Sequence, residues 1–282
     1  MGELRKRMEE AMIARGLSER TRETYLGAVA GLAKHYMRRP DQLAEREVEA
    51  YLVWMLRERG LSPNTCHQAA HAIRYFYRVV LGRDGSRFQV PAPKLPRRLP
   101  EVLSRGEVER ILEAPRNEKH RLMLATTYAA GLRLSEMIGL QASDIDGERM
   151  TIRVEQGKGG RDRYVPLSPR LWERLRSYWQ QVGRPRDWVF AGPGGGRPLN
   201  RTTPQKVYMR AKLQARVEKQ GGIHSLRHAF ATHLLEAGRD LHTIQLLLGH
   251  RHISSTMRYL HLAQGKLEQV VSPLELLDLP DR

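Results

Sequence analysis

Six residues between positions 133 and 259 could act together on one phosphodiester: Arg133, Lys158, His224, Arg227, His250 and Tyr259. Two arginines can clamp the non-bridging oxygens through charge-assisted hydrogen bonds. A lysine can protonate a departing alkoxide, and a histidine can share a proton with an incoming oxygen. A tyrosine hydroxyl can attack phosphorus and form a covalent ester. Basic side chains would then supply the charge neutralisation that magnesium supplies elsewhere, so the set calls for no metal and no cofactor. Singly, each has a plainer explanation: a hairpin-tip lysine is ordinarily solvated, and a tyrosine in an apolar helix is ordinarily core.

The elements that must position them are legible in outline. In "HSLRHAFATHLL" (224–235), Leu226, Ala229, Phe230, Leu234 and Leu235 form a buried helical stripe. His224 and Arg227 therefore enter at the edge of a core, where a bare charge is costly unless something anionic meets it. His250 follows Gly249 at a helix end, and Tyr259 lies nine residues later. Upstream, Ser104 caps a helix "RGEVERILEAP", a buried helix follows in "RLMLATTYAAGL", and "RLSEMIGLQASDID" reads as a further helix with its start capped by Ser135, just after Arg133. A strand pair, "RMTIRVEQ" and "RDRYVPL", is joined by a "GKGG" turn with Lys158 at its tip. The rest is helical. The run "GPGGG" (192–196) lacks the Lys-Ser/Thr of a phosphate loop and reads as a connection. "LNRTTPQKVYMRAKLQ" starts a helix at Thr202 or Thr203 and presents Arg201, Lys206 and Arg210 as candidate DNA contacts; a solvated helix face explains them equally well.

Residues 1–85 read as four helices. Ser18 and Ser62-Pro63 mark starts, while Gly16, Gly60 and Gly82 mark stops. Tyr25, Val29, Leu32 and Tyr36 recur at helical spacing, and the "YFYR" cluster reads as core rather than a base-stacking platform. Residues 86–100 hold Pro91, Pro93, Pro96 and Pro100 with Arg97 and Arg98 among the basic residues, an extended, positively charged linker suited to wrapping a polyanion. Residues 101–282 form the second unit, ending in an apolar tail, "EQVVSPLELLDLP".

Composition agrees. A formal charge of +17 points to nucleic acid as partner, and a predominance of arginine suits bidentate phosphate contacts. The single cysteine, Cys66, cannot form an internal disulfide, which fits a reducing cytosol. The sequence holds no stretch long and apolar enough to span a bilayer and no N-terminal signal pattern, so a cytoplasmic location away from membranes is expected.

The order Arg133, Lys158, "HSLRH", "LLGH" and Tyr259 strongly resembles the tyrosine recombinase (phage integrase) family. The likeness extends over nearly the whole chain. "LSPNTCHQAAHAIRYFYRVVLG" looks like the last helices of the family's core-binding domain, and "PKLPRRLPEVLSRGEVERIL" like the linker and first catalytic helix of Xer-type members. The compact spacing from Arg133 to His224 favours a Xer-like or simple phage- or transposon-type enzyme over an integron integrase. The resemblance implies a mainly α fold with a small β-sheet or hairpin: an N-terminal four-helix core-binding (SAM-like) domain and a mixed α/β catalytic domain. It implies Tyr259 as nucleophile forming a 3′-phosphotyrosyl link, and Arg133 and Arg227 on the scissile phosphate. Lys158 would be the acid for the 5′ oxygen, His224 an acid or base, and His250 a donor to a phosphate oxygen. Glu136 would support the site, while His228 and His233 pack. It further implies double-stranded DNA as substrate, a homo-oligomer on DNA (a tetramer exchanging C-terminal tails), and a place for a partner recombinase or accessory protein. The departures, Ala229 in "HAFATH", Arg258 and Leu260 around the tyrosine, and a glycine-rich 192–196 loop, remove none of these residues.

Three other readings remain open on the sequence. A type IB topoisomerase-like relaxing enzyme uses the same chemistry on one duplex. A helix-based DNA-binding regulator suits the charge but gives no reason for the six residues to coexist. A zinc site at His224, His228 and His233 lacks the intervening Glu of a zinc protease and any nearby Cys or acidic ligand.

Overall fold

The computed structural model of the protein describes residues 2–83, 101–155 and 162–260. The expected linker with Arg97 and Arg98, the hairpin tip with Lys158, and the tail beyond residue 260 lie outside the described residues. The chain divides into two compact units, Met1–Arg98 and Leu99–Arg282.

The first unit is built from four helices: α1 (Gly2–Ile13), α2 (Glu19–Tyr36), α3 (Glu45–Arg57) and α4 (Pro63–Tyr75). The starts follow the expected chemistry. Ser18 Oγ accepts from the Thr21 amide and Ser62 Oγ from the Thr65 amide, with Pro63 in the first turn. α4 runs on into a π-helical turn, Phe76–Val80, which carries Phe76 and Tyr77 into a core with Met8, Leu32, Val48, Leu52 and Ile73. Of the "YFYR" cluster, Phe76 and Tyr77 are core and Tyr75 packs against it, as expected, while Arg78 is exposed; Cys66 is buried in the same core. The Tyr77 hydroxyl donates to the Pro40 carbonyl.

The second unit opens with α5 (Arg105–Glu113), whose capping box pairs Ser104 Oγ with the Glu107 amide and the Glu107 carboxylate with the Ser104 amide. α6 (Glu118–Ala129) follows, then α7 (Leu134–Ile138). Here the structure corrects the sequence reading twice. The N-cap of α7 is Arg133, whose amide is taken by the Glu136 carboxylate; Ser135 lies inside the helix. The helix also stops at Ile138 rather than spanning "RLSEMIGLQASDID", because Gln141 bridges to Trp188 and Asp144 accepts the Gln141 amide in a short 3-10 turn. The residues after that turn form β1 (Ile145–Asp146), so the expected strand pair is a three-stranded antiparallel sheet with β2 (Thr151–Val154) and β3 (Arg163–Pro166) in order β1-β2-β3. Beyond it lie α8 (Pro169–Gln181), α9 (Thr202–Gln214), α10 (His224–Glu236), α11 (Leu241–Leu248) and α12 (Ser254–Met257).

α10 is the central helix. It packs on α5, α6 and α11, and its buried residues surround its axis: Ser225, Leu226, Arg227, Ala229, Phe230, Ala231, Thr232, His233 and Leu235. A helix buried on all sides has no solvated face for charge. Its polar side chains must therefore find partners inside the protein. How they do so defines the site.

Candidate active site

Arg227 is 1% exposed. Its guanidinium donates from Nη1 to the Gly131 carbonyl (2.7 Å) and from Nη2 to the Leu248 carbonyl (2.6 Å). Arg133, at the start of α7, donates from Nη1 to Glu136 Oε1 (2.6 Å) and from Nη2 to the Gly249 carbonyl (3.2 Å). Arg163, on β3, makes a bidentate pair with Glu136 (3.0 and 2.8 Å) and donates from Nε to the Leu247 carbonyl (2.7 Å). Three arginines from three elements thus meet three successive carbonyls at the end of α11. Such carbonyls lack intrahelical partners and sit at the negative end of the helix dipole. They are apt acceptors for buried cations, and each charged hydrogen bond is worth about 1.5–3 kcal/mol.

Two glycines make the approach possible. Gly249 ends α11 in the left-handed conformation (φ +59°), and a Cβ there would sit 3.0 Å from Arg163 Cδ. Gly131 (φ +58°) offers its carbonyl to Arg227, and a Cβ would press into the Phe230 ring at 2.5 Å.

Among the described residues, Glu136 is the carboxylate these arginines share. Its side chain is 5% exposed, and Arg227 Nη1 lies 3.7 Å from it. Burial alone would raise its pKa. The bonds and charges of Arg163 and Arg133 outweigh that and hold it at about 2. Three guanidiniums against one carboxylate leave the cluster short of negative charge. Burial, then Arg133, lowers the Arg227 pKa, despite Glu136. An anion bound here would reduce this positive excess.

The aromatic side of the site comes from α10 and from the chain after α12. Tyr259 is 1% exposed, and its hydroxyl lies 3.0 Å from His228 Nδ1. Burial raises its pKa, while Arg227, Arg258 and Arg133 pull it down. His250 bonds through Nδ1 to Thr256 Oγ1 (2.9 Å), and its ring lies parallel to that of Tyr259 within 8° at 6.4 Å. His224 stands one turn before His228, their rings 4.8 Å apart. Solvent reaches His224, yet protein surrounds much of it, and desolvation followed by Arg227 and Arg133 lowers its pKa. Desolvation also lowers His228 and His250 to about 4, reinforced by His224 and Arg258 for the first and by Arg227 and Arg133 for the second.

The structure therefore brings Arg133, Arg227, Glu136, His224, His250 and Tyr259 into one neighbourhood. Lys158 lies outside the described residues. Arg201, Lys206 and Arg210 are exposed at the start of α9 and along it, and take no part in the Glu136 cluster. His233 packs, as expected: it bonds to the Tyr128 hydroxyl and the Leu103 carbonyl, away from His224. His228 does not merely pack; it holds the Tyr259 hydroxyl. Sequence reasoning misses Arg163 altogether. Its signal is strand alternation: it faces the same side of β3 as Val165, the buried side. Among the described residues, no group of three or more His, Cys, Asp or Glu is placed to hold a metal ion, and no helix is long and apolar enough to cross a membrane.

Comparison with known proteins identifies the family. Residues 101–266 match the phage integrase family, and residues 4–86 match the N-terminal SAM-like domain of phage integrases. The chain is 46% identical over 281 residues to the putative integrase/recombinase y4qK of Sinorhizobium fredii, covering 99% of this chain and 91% of that one. It is 32% identical over 282 residues to the tyrosine recombinase XerD of Pseudomonas putida, covering 93% of each. Among solved structures, a lambda integrase (75–356) dimer bound to a COC′ core site superposes with a TM-score of 0.76 at 20% identity, over 92% of this chain and 94% of that one. The chain belongs to the phage integrase family. It is an enzyme of the tyrosine recombinase class, with the mainly helical fold, small antiparallel sheet and N-terminal SAM-like domain of that family.

Proposed function

We propose that this chain is a Xer-like or phage- or transposon-type site-specific recombinase that cuts and rejoins double-stranded DNA through a 3′-phosphotyrosyl intermediate on Tyr259. In this reading Arg133 and Arg227 bind the scissile phosphate, and Glu136 fixes the arginines. His224 assists proton movement at the solvent-reached mouth, and His250 donates to a phosphate oxygen. Lys158 protonates the departing 5′ oxygen. One phosphate ester replaces another, so the step needs no high-energy cofactor, and the guanidiniums supply the positive charge that a metal would bring.

One observation carries this reading: a buried tyrosine hydroxyl with an imidazole nitrogen 3.0 Å away, beside three arginines that share a single carboxylate. Residues 1–85 and 101–282 would both bind the duplex, joined by the basic segment 86–100 with Arg97 and Arg98. Exposed Arg201, Lys206 and Arg210 would contact backbone phosphates. Assembly as a homotetramer on DNA, with residues beyond 260 exchanged between subunits, completes the proposal, and a second recombinase or accessory protein could join it. The tetramer has a parallel in a lambda integrase tetramer solved on a Holliday junction. Relatives named integrase/recombinase favour strand exchange over the relaxation of a single duplex.

The test is trapping on nicked suicide duplexes drawn from DNA flanking the gene. The wild-type chain should form a denaturant-stable DNA adduct whose peptide carries Tyr259, and should recombine two sites in a plasmid. An adduct with relaxation but no recombination would assign the topoisomerase activity instead. Adduct formation by Y259F would reject the mechanism.

A further inference from the structure

We propose that Thr256 is a positioning residue for the reaction: its hydroxyl donates to His250 Nδ1 and so keeps the ring hydrogen on Nε2, the nitrogen left to donate to phosphate. The inference rests on the function proposed above and deepens it by assigning the group that sets the His250 donor.

The direction of the bond follows from counting partners. Thr256 is 0% exposed, and its Oγ1 lies 2.9 Å from His250 Nδ1. Among the described residues that nitrogen is the only hydrogen-bond partner of the hydroxyl. A threonine hydroxyl has one hydrogen to give and two lone pairs to offer. Were Nδ1–H to donate to Oγ1, the hydroxyl hydrogen would be buried with no acceptor, which is costly. With Oγ1–H donating to Nδ1, both atoms are satisfied. The neutral ring then carries its hydrogen on Nε2. His250 is only partly buried, and its Nε2 has no hydrogen-bond partner among the described residues.

The neutral ring is the one that matters. Burial, then Arg227, Arg133, Arg258 and Arg163, lowers the His250 pKa to about 4. A neutral imidazole has a single donor, and its other tautomer would turn a lone pair towards an anion. The remaining contacts of His250 fix where the ring stands, not where its hydrogen lies. Its amide donates to the Gln245 carbonyl (3.1 Å), and its carbonyl accepts from Gln245 Nε2 (3.1 Å). The ring lies parallel to that of Tyr259.

Thr256 also belongs to the segment that presents the nucleophile. It lies in α12, and its carbonyl accepts the Tyr259 amide (2.9 Å). One turn of chain therefore places the phenol through its backbone and sets the phosphate donor through its side chain.

The test uses the full chain with isotope-labelled histidine and a nicked duplex that the wild-type protein cleaves. Thr256→Val keeps the shape without the hydroxyl; Thr256→Ser keeps the hydroxyl without the methyl. In nitrogen NMR spectra at neutral pH, wild-type His250 should carry hydrogen on Nε2 alone, with Nδ1 at the shift of a hydrogen-bonded acceptor. That Nδ1 signal should move to the position of an unbonded imidazole nitrogen in T256V and stay in T256S. Single-turnover cleavage should fall about tenfold in T256V, the scale of one net hydrogen bond, and recover in T256S, with DNA affinity unchanged. In a His250→Ala background T256V should cost nothing further, because Thr256 acts through that ring. Hydrogen on Nδ1 in the wild-type protein would overturn the assignment. So would wild-type rates in T256V, equal losses in T256V and T256S, or an undiminished loss in the His250→Ala background. If the wild-type protein forms no adduct, the function proposed above falls, and the nitrogen shifts still decide the direction of the Thr256–His250 bond.

Discussion

Tyr77 and Tyr259 are each 1% exposed, and their hydroxyls meet different partners. In the first unit the Tyr77 hydroxyl donates to the Pro40 carbonyl, with Arg83 over its ring at 4.9 Å. In the second the Tyr259 hydroxyl faces an imidazole nitrogen. Burial raises the pKa of both. The charges around them differ. Tyr77 feels Arg83 opposed by Asp41 and Glu47, whereas the neighbours of Tyr259 are Arg227, Arg258 and Arg133, all favouring its anion. A carbonyl oxygen is far too weak a base to take a phenol proton, and an imidazole is not. On the proposed function, the reactivity of Tyr259 would rest on the partner and on the sign of the surroundings, not on burial.

The largest expected effect comes from deleting each hydroxyl in turn. Y259F should abolish the covalent DNA adduct on a denaturing gel, while Y77F leaves adduct formation intact. Next in size is the carboxylate that lets buried cations coexist. E136A leaves three guanidiniums without their counter-charge and should destabilise the second unit by about 3–5 kcal/mol in chemical denaturation. A matching loss at an acidic residue near Tyr77, such as Asp41, should be far smaller.

Acid should act on the two regions in the same order. The Glu136 pKa is lowered from 4.5 to about 2 in the folded protein. Its contribution, of order 3 kcal/mol, is present above the unfolded value and is lost as pH falls from about 4.5 through 2. His228 and His250 are lowered from 6.5 to about 4. Unfolding lets them take up protons, so stability also declines as pH drops from about 6.5 towards 4, and H228N/H250N should flatten that upper window in melting curves. Smaller is the loss of the Tyr77 hydrogen bond in Y77F, about 1 kcal/mol by denaturation. Last, alanine at Arg201, Lys206 or Arg210 should weaken DNA binding uniformly across sequences and lower the salt slope by about one for each phosphate left unneutralised.

The sequence disclosed the helix starts because capping is local chemistry: Ser18, Ser62 and Ser104 each meet an amide three residues on. It disclosed the stripe of α10 for the same reason, since periodicity needs no tertiary knowledge. The start of α7 is easily misread because a serine stands nearby, and the cap is formed instead by the Arg133 backbone and the Glu136 side chain. Arg163 escapes notice because an arginine on a short strand normally faces water, and only its alternation with Val165 marks it as inward. His228 looks like a packing residue because its partner lies 31 residues away, a separation that no local pattern spans. The three carbonyls at the end of α11 have no letter at all in the sequence.

Because peptide oxygens hold the arginines, the side chains at Leu247 and Leu248 are released from that duty and can vary with the packing around them. What cannot vary is the path of the chain: a proline that bends it, an insertion that rotates it, or any residue at Gly249 that needs a Cβ would move all three anchors at once. A single ester in place of the peptide bond after Leu248 would weaken the hold on Arg227 while leaving every side chain as it was.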